Sequence, residues 1–369
     1  MATVAAMTVS LFTGFPGFLG VELLPRVLQR DPQRRAVCLV QGKFADLARR
    51  KADELVQADP GLDGRITLVE GDITVPDLGL DDPAGIAANL SEIWHLAAVY
   101  DLSVPRDLGM RVNVDGTRHV CDLAERADGL QRLHYVSTCY VSGRYTGPFG
   151  EDDLDVGQHF DNFYEETKFL AEVEVRARRA GGLPTTVYRP AIVVGDSTNG
   201  ETQKYDGPYF ALQWLLRQPK ALAVLPVIGD PTASRFNIVP RDFVTEAIVA
   251  LSADERSKDR TYQLADPRPL TVDELYREMG RATGRRVLRV PLTRRLAKLA
   301  IEKLPGVYQV MRIPSDAVDY LTLPTHYLSA NTQADLDGTG VGCPPLPSYL
   351  PTLVDFMRRH PDVGSAAMV

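Results

Sequence analysis

Three glycines stand three residues apart, at Gly14, Gly17 and Gly20, directly after the apolar run Val9–Phe12. The helical pattern Phe18–Gln29 begins within the same segment. A tight turn between a strand and a helix needs glycine there, because no side chain then blocks the close approach of a phosphate. The free N–H groups and positive dipole end of the helix favour an anion. The segment predicts a dinucleotide-binding turn of Gly14, Phe15, Pro16, Gly17, Phe18, Leu19 and Gly20.

The first half of the chain alternates short apolar runs with amphipathic stretches. The runs that resemble buried strands are Val9–Phe12, Ala36–Val40, Ile66–Val69, Ile93–Leu96, Leu133–Val136 and Thr186–Tyr188. The amphipathic stretches between them are Val21–Gln29, Ala45–Gln57, Arg111–Arg126 and Tyr164–Arg178. This alternation is typical of an α/β fold of the Rossmann type, a doubly wound parallel sheet with right-handed crossovers.

The pattern changes after Pro190, where residues 195–235 become rich in glycine and proline. Later segments with helical patterns are Thr271–Thr283, Leu292–Lys303 and Pro347–Arg359. We therefore predict a second, smaller and mostly helical lobe over the carboxyl ends of the strands, where open α/β sheets bind ligands. The predicted units are a dinucleotide-binding domain of residues 1–194 plus about 236–265, and a discontinuous substrate-binding lobe of residues 195–235 plus about 266–369.

Composition excludes several classes of partner. The formal charge of −7 and the pI near 5.5 argue against nucleic acid, whose binders need a basic footprint. No run approaches the ~20 apolar residues of a transmembrane helix, and the start of the chain lacks the positive region of a signal peptide. The four cysteines are scattered without the spacing of a metal site, so we expect no metal and a reducing, cytoplasmic location.

The end of the second strand bears on the choice between NAD and NADP. An acidic residue about 20 positions beyond the turn would bind the ribose diol of NAD, and the sequence has none there. That window holds Arg34, Arg35, Gln41 and Lys43, which suit a 2′-phosphate better and favour NADP. Four further positions follow later strands and are expected to border the cofactor, namely Asp72, Ile73, Ala97 and Ala98. For Asp72 a purely local turn-forming role is equally compatible with the pattern.

Tyr164 and Lys168 are four residues apart in a helical pattern, so both side chains are expected on one face of a helix. Tyr164 is the only tyrosine of the chain with lysine at this spacing. A neighbouring cation favours the phenolate and would bring tyrosine towards acid/base work near neutral pH.

Thr138 ends the fifth strand 26 residues before Tyr164, with Ser137 beside it. A hydroxyl at that edge can hydrogen-bond a substrate oxygen as negative charge develops on it. Asn113, after the fourth strand, is a weaker candidate for which a structural polar contact fits as well. Together with the glycine turn, these residues predict hydride transfer between a nicotinamide and a substrate carbon.

These residues also form a set that resembles the extended short-chain dehydrogenases/reductases. Within them the chain is most similar to the fatty acyl-CoA reductase ("male sterility") branch, which includes terminal thioester reductase domains. The motifs that carry the resemblance are Thr13–Gly20, Gly71–Ile73, His95–Ala98, Asn113–Thr117, Tyr135–Val141, Tyr164–Lys168, Tyr188–Pro190 and Asn237–Phe243.

The resemblance implies a role for each matched residue. Thr138 would donate to the substrate oxygen, Tyr164 would be the acid/base, and Lys168 would activate it and bind ribose. Pro190 would lie beside the nicotinamide carboxamide. Gln41 departs from the Arg that often contacts the 2′-phosphate in this branch. The resemblance also implies that the protein could form a homodimer through helices beside the Tyr164 helix.

A group of aromatic residues between the sixth strand and Asn237 is a candidate apolar channel for an acyl chain. Its members are Tyr205, Tyr209, Phe210 and Trp214. Packing between lobes explains the same pattern. The basic amphipathic stretch Leu292–Lys303 would meet a membrane surface, a carrier protein or acyl-CoA phosphates, or would be an ordinary lobe helix with a solvated face.

The sequence thus favours an NAD(P)H-dependent reductase of an acyl thioester, either acyl-CoA or carrier-bound, or of a related long-chain carbonyl compound. A hydroxy/keto oxidoreductase or a sugar-nucleotide epimerase/dehydratase would use the same residues. A regulator that senses NADP without catalysis is the third alternative, and the intact Thr138, Tyr164 and Lys168 argue against it.

Overall fold

The computed structural model describes residues 8–101, 104–292 and 324–364. Its centre is a seven-stranded, wholly parallel sheet in which the strand order is β11-β7-β5-β4-β1-β2-β3. The strands of this sheet are β1 Val9–Thr13, β2 Arg35–Val40, β3 Ile66–Glu70, β4 Leu90–His95, β5 Arg132–Val136, β7 Thr185–Pro190 and β11 Thr261–Leu264. The predicted α/β fold of the Rossmann type is confirmed, and β11 is a seventh strand that the sequence patterns did not indicate.

Shorter strands lie outside the central sheet in three parallel pairs, β6 with β13, β8 with β10 and β9 with β12. Their bounds are β6 Gly147–Phe149, β8 Ile192–Val194, β9 Ala223–Ile228, β10 Ile238–Pro240, β12 Val287–Leu292 and β13 Thr325–Tyr327. The helices of the described residues are α1 Gly20–Gln29, α2 Ala45–Ala58, α3 Pro83–Ala87, α4 Arg106–Gly109, α5 Gly116–Glu125, α6 Phe163–Ala180, α7 Pro208–Arg217, α8 Arg241–Ala253, α9 Val272–Thr283, α10 Ala330–Leu336 and α11 Leu346–Arg359.

Two apolar layers cover the two faces of the sheet, as a doubly wound fold requires. One layer packs α1, α2 and α8 on side chains such as Phe12, Trp94 and Tyr188. The other packs α5 and α6 on Leu11, Ile93 and their neighbours. Every residue of β4, β5, β7 and β11 is buried, so both faces of these strands are covered, although polar residues alternate with apolar ones in them.

The predicted helix Arg111–Arg126 is interrupted. Residues Met110–Asp115 form a π-helical turn between α4 and α5, with Asn113 inside it. Such one-turn expansions turn a side chain away from its regular position in the helix. Asn113 consequently contacts two segments outside its own helix, described below.

A third apolar cluster forms the core of the second lobe and joins α7, α9, α11 and β9. It includes segments of both predicted parts, 195–235 and 266–369. However, β13 pairs with β6, and α10 packs on β11 and α8, so residues 325–336 lie against the dinucleotide-binding unit. The sequence patterns assign these residues to the second lobe, and the boundary between the two units stays a prediction. Most of the predicted helix Leu292–Lys303 lies outside the described residues.

Candidate active site

The glycine turn connects β1 to α1 at the carboxyl edge of the sheet. Gly14 has φ +91°, and a Cβ atom on it would lie 2.7 Å from the backbone nitrogen of Ala97. A Cβ on Gly17 or on Gly20 would lie 2.7 Å from the carbonyl oxygen of Gly14. These glycines therefore make a cradle that side chains would fill, and this fits a bound pyrophosphate. The helix begins at Gly20, not at Phe18, and the Phe15–Pro16 peptide bond is cis.

A buried cation lies behind this turn. The guanidinium of Arg241, at the start of α8, lies 5.2 Å from the centre of the Phe18 ring and 3.4 Å from the carboxylate of Glu22. Only 4% of the Arg241 side chain is exposed. This contact holds the turn against α8, and it gives a structural reason for Arg241 within the Asn237–Phe243 motif.

The side chains after β3 and β4 are arranged as a border to the same edge. Asp72 Oδ1 accepts a hydrogen bond of 2.8 Å from the backbone nitrogen of Thr74, so its carboxylate shapes the turn locally. Ile73 is buried against Gly116 in α5. Ala97 donates its backbone N–H to Thr13, and Ala98 is partly exposed beside it.

Two arginines that the sequence offered for a 2′-phosphate lie at the wrong end of β2. Arg34 is buried and binds Glu92 at 2.5 Å, and Arg35 opens the strand and reaches the carbonyl of Gly64. Since strands rise about 3.3 Å per residue, this end is roughly 16 Å from the carboxyl edge. That part of the prediction is wrong.

Gln41 and Lys43 follow β2 at the carboxyl edge, as predicted. The structure adds Glu70, at the end of β3, whose Oε1 would lie 2.6 Å from a Cβ on Gly42. The edge therefore carries both a cation and a carboxylate. The sequence patterns missed Glu70 because it comes from the neighbouring strand β3 and not from the residues that follow β2.

Thr138 and Tyr164 meet at the candidate reaction centre. Their side chains are close enough for Thr138 to lower the pKa of the Tyr164 phenol as a hydrogen-bond partner. Thr138 follows β5 and caps a short turn through its Oγ1, which accepts from the backbone nitrogen of Tyr140 at 3.2 Å. Tyr164 lies in the first turn of α6, which Asn162 caps by accepting from the backbone of Glu165 at 3.0 Å.

Burial raises the pKa of Tyr164 to about 12, and the hydrogen bond with Thr138 opposes this rise. The structure therefore does not show the expected lowering of this pKa by a neighbouring cation. A phenol with a raised pKa stays protonated at neutral pH. Tyr164 is consequently suited to donate a proton.

Lys168 lies one turn along α6 from Tyr164, with 3% of the residue exposed. Its Nζ donates at 2.9 Å to the hydroxyl of Tyr135 and at 2.9 Å to the carbonyl oxygen of Val136. Burial lowers the pKa of Lys168 to about 7, and the charge of Glu172 opposes this shift. Two residues of β5 therefore hold the lysine. The sequence spacing had indicated only Tyr164 as its neighbour.

Ser137 is engaged elsewhere. Its hydroxyl donates at 2.6 Å to Glu172, whose carboxylate also binds Arg189 and Arg176. Glu172 and Arg189 are fully buried. This network fastens α6 to the ends of β5 and β7, and the Ser137 hydroxyl is part of it. A catalytic role of Ser137 beside Thr138 stays a prediction.

Asn113 ties the π-helical turn to its surroundings. Its Oδ1 accepts from the backbone nitrogen of Val99 at 2.9 Å, while its Nδ2 donates to the Val99 carbonyl and to Thr167 Oγ1, each at 3.0 Å. Thr167 precedes Lys168 on α6. The contacts fit the structural alternative for Asn113. Pro190 ends β7, and its carbonyl oxygen lies 3.5 Å from the Thr138 hydroxyl.

The aromatic residues proposed to line an acyl channel lie mainly in the core of the second lobe. Tyr205 and Tyr209 are each 1% exposed, and their hydroxyls bond the backbone of His360 and Gly195. Trp214 donates to the carbonyl of Val224, and Phe210 is partly buried. Packing within one lobe replaces the predicted channel for Tyr205, Tyr209 and Trp214.

Metal ligands and membrane-spanning helices are both missing from the described part of the chain. Across residues 8–101, 104–292 and 324–364, no group of three or more His, Cys, Asp or Glu side chains is placed to hold a metal ion. Within these ranges no helix is both long and apolar enough to cross a membrane.

A glycine cradle at the first strand, a Tyr-Lys helix and a threonine after β5 define an NAD(P)-dependent oxidoreductase of the extended short-chain dehydrogenase/reductase type. The model of the male sterility protein family matches residues 12–248, and the chain belongs to this family. The resemblance inferred from the motifs is thereby confirmed.

The curated relatives include much larger proteins, and this chain matches only a part of each of these. A linear gramicidin synthase of Brevibacillus parabrevis is 32% identical over 280 residues, an alignment that covers 72% of this chain and 5% of that protein. Nonribosomal peptide synthetase asaC of Aspergillus flavus is 30% identical, with coverage of 70% and 26%. Fatty acyl-CoA reductase wat of Drosophila melanogaster is 25% identical, with coverage of 66% and 53%. The chain thus spans a small part of the first two proteins.

Among solved structures, the terminal R domain from the myxalamid PKS-NRPS biosynthetic pathway superposes with a TM-score of 0.83 at 27% identity. The superposition covers 98% of this chain and 94% of that domain. UDP-glucuronic acid 4-epimerase from Bacillus cereus, in complex with NAD, has a TM-score of 0.66 at 16% identity, covers 97% and 99% of the two chains, and shares the fold.

Proposed function

We propose that this protein reduces an acyl thioester, either an acyl-CoA or a carrier-bound chain, or a related long-chain carbonyl compound, with NADPH or NADH as reductant. The observation that carries the proposal is that Thr138, which follows β5, and Tyr164, in the first turn of α6, lie next to each other and one turn of helix from the buried Lys168. The name of the fatty acyl-CoA reductase among its relatives supports the substrate class.

The hydroxyls of Thr138 and Tyr164 act on the carbonyl oxygen of the substrate. The bound nicotinamide supplies the hydride. Thr138 gives up its long hydrogen bond to the Pro190 carbonyl and donates to the substrate oxygen as negative charge develops there. Tyr164 donates its proton, which its raised pKa keeps available. For a thioester, the resulting hemithioacetal collapses to an aldehyde and a free thiol.

Lys168 holds the cofactor end of this arrangement. An ammonium has three donors, and within the described residues two of them bind Tyr135 and Val136. The third N–H is available for a hydroxyl of the nicotinamide ribose. The glycine cradle of Gly14, Gly17 and Gly20 takes the pyrophosphate, with α1 aimed at it.

NADP is the preferred cofactor in this proposal. Lys43 offers a charge for the 2′-phosphate, and Gln41 a hydrogen bond. Glu70 opposes the same phosphate from β3. The preference is therefore expected to be modest, and the ratio of kcat/KM for NADPH over NADH measures it. A homodimer and a cytoplasmic location stay predictions.

A substrate panel tests the function. Purified protein is incubated with NADPH or NADH and with acyl-CoAs, long-chain aldehydes, β-keto esters or UDP-sugars, and cofactor oxidation is followed together with free thiol. Oxidation with thiol release from an acyl-CoA supports the proposal. Turnover of only keto compounds or of UDP-sugars favours the hydroxy/keto or epimerase alternatives, and tight NADPH binding without any turnover favours the regulator.

A further inference from the structure

A chain of buried polar side chains runs from the glycine turn to Lys168 through the middle of the sheet. Thr13 Oγ1 lies 2.7 Å from Nδ1 of His95, and His95 Nε2 lies 2.9 Å from Oγ1 of Thr117. Thr117 in turn lowers the pKa of the Tyr135 phenol as a hydrogen-bond partner, and the Tyr135 hydroxyl accepts from Lys168 Nζ at 2.9 Å. The five residues come from β1, β4, α5, β5 and α6, and each is at most 3% exposed.

The far end of this chain is a neutral histidine. Burial and the charge of Lys168 lower the pKa of His95 to about 3, which leaves the imidazole neutral. A neutral ring donates from one nitrogen and accepts at the other, so His95 donates to one of Thr13 and Thr117 and accepts from the other. Thr13 Oγ1 also accepts the backbone N–H of Ala97 at 3.3 Å. His95 therefore links the two threonines in either tautomer.

At the Lys168 end of the chain, the direction of the hydrogen bonds can reverse. The Tyr135 hydroxyl accepts from Lys168 when the lysine is an ammonium, and it can donate to Lys168 when the lysine is an amine. The Val136 carbonyl can only accept, so it stabilises the ammonium alone. Thr117 also both donates and accepts, and it can follow either direction of the Tyr135 hydroxyl.

Other charged groups around Lys168 are already engaged. Glu172, one turn further along α6, is bound by Arg189, Arg176 and Ser137. Burial raises the pKa of Tyr135 itself far above its ordinary value, so this phenol keeps its proton. The groups that face Lys168 are then Tyr135 and Val136 from β5, Tyr164 and Glu172 from α6, and His95 behind Tyr135 from β4.

We propose that Tyr135, with Thr117 and His95 behind it, is the positioning residue that keeps Lys168 charged and aimed at the cofactor. This inference rests on the proposed function, because it assigns Lys168 to the nicotinamide ribose. The hydroxyl of Tyr135 contributes a charge-assisted hydrogen bond to the ammonium, and such bonds are stronger than neutral ones. Its removal disfavours the ammonium more than the amine, so Lys168 loses its proton at a lower pH.

The test compares two buried tyrosines of the same sheet. Tyr188 is also paired with a histidine, His134, at 3.1 Å, but it lies in the apolar layer on the other face and does not contact Lys168. Tyr135→Phe and Tyr188→Phe therefore remove matched hydroxyls. Affinity for NADPH is measured without substrate from pH 6 to pH 10, and the pH profile of kcat and KM is measured with an acyl-CoA.

In Tyr135→Phe, the fall of NADPH affinity at alkaline pH is expected to move to lower pH by about one unit. The reason is that the free energy of one such hydrogen bond corresponds to about one pKa unit. KM for NADPH rises at pH 8 while kcat at saturation changes less. Tyr188→Phe leaves the profile unmoved. If Tyr135→Phe does not fold, Thr117→Val is expected to shift the profile in the same direction, and Thr117→Ser to restore it.

An unmoved profile in folded Tyr135→Phe, or in Thr117→Val when the former does not fold, overturns the inference, and so does an equal shift in Tyr188→Phe. The two proposals fail separately. If no thioester is reduced but the NADPH profile shifts as expected, the positioning role stands and the proposed substrate fails. If thioesters are reduced and the profile does not shift, the substrate stands and the positioning role fails.

Discussion

Arg189 binds both carboxylate oxygens of Glu172, with its Nη2 at 2.7 Å and its Nε at 3.1 Å from Oε1 and its Nε at 3.0 Å from Oε2. Neither side chain is exposed. Since Glu172 lies one turn beyond Lys168 and Arg189 just before Pro190, this ion pair holds the helix of the active site against the end of β7. The site therefore depends on a bond that touches no reactant.

Glu172→Gln is expected to destabilise the protein by about 3–5 kcal/mol, because it leaves Arg189 as an uncompensated buried charge. Urea denaturation followed by circular dichroism measures the free energy of unfolding. The matched control is Glu125→Gln, which breaks a half-exposed pair with Arg178 and is expected to change stability by less than about 1 kcal/mol. Similar losses in both variants would contradict this account.

The steric argument for the turn is tested at Gly14. Gly14→Ala places a methyl group 2.7 Å from the Ala97 nitrogen at φ +91°, so both strain and a clash are expected. Gly64 also has a positive φ, of +65°, but nothing lies within 4 Å of its Cβ position. Gly14→Ala should abolish NADPH binding in a titration, and Gly64→Ala should bind normally. Normal NADPH binding by folded Gly14→Ala would show that the glycine turn is not part of the cofactor site.

The pH dependence of stability tests the burial of Lys168. Its pKa is lowered from 10.5 to about 7, so between these values the unfolded chain binds the additional proton. Linkage then makes this group's contribution to stability rise with pH through that range, by at most about 1.4 kcal/mol per pH unit. Lys168→Met removes the titration.

The difference in unfolding free energy, wild type minus Lys168→Met, should therefore increase from pH 7 to pH 10 in urea denaturation. Lys258 is exposed, so the difference in unfolding free energy between wild type and Lys258→Met should not change with pH over this range. A flat difference for Lys168 as well would mean that its ammonium is not destabilised by burial.

The sequence was most informative where chemistry is local. The glycine spacing and the i,i+4 pair of Tyr164 and Lys168 each depend on a few consecutive residues, and the structure places both at the carboxyl edge. Strands of the central sheet followed from their continuous apolar runs. In contrast, β11 was missed because its residues Thr261–Leu264 are half polar, although all four are buried.

Contacts between distant segments were beyond the patterns. Arg34 was close in sequence to the expected ribose end but belongs to the opposite end of β2, which only the strand direction reveals. Tyr135 and His95 stand out only as polar residues inside buried strands, and their link to Lys168 requires the strand order. For Tyr205 and Tyr209 the aromatic pattern fitted both an acyl channel and packing, and only their contacts in the core of the second lobe distinguish the two.

The measurement that tests the central claim most directly is NADPH oxidation with an acyl-CoA by Tyr164→Phe. The variant lacks the proton donor and keeps the ring, so we predict unchanged NADPH affinity and turnover reduced by at least ~100-fold. Tyr276→Phe, which removes a hydroxyl bonded to Pro226 in the second lobe, should retain turnover. Turnover of Tyr164→Phe equal to that of the wild type would contradict the assignment of Tyr164 as the acid.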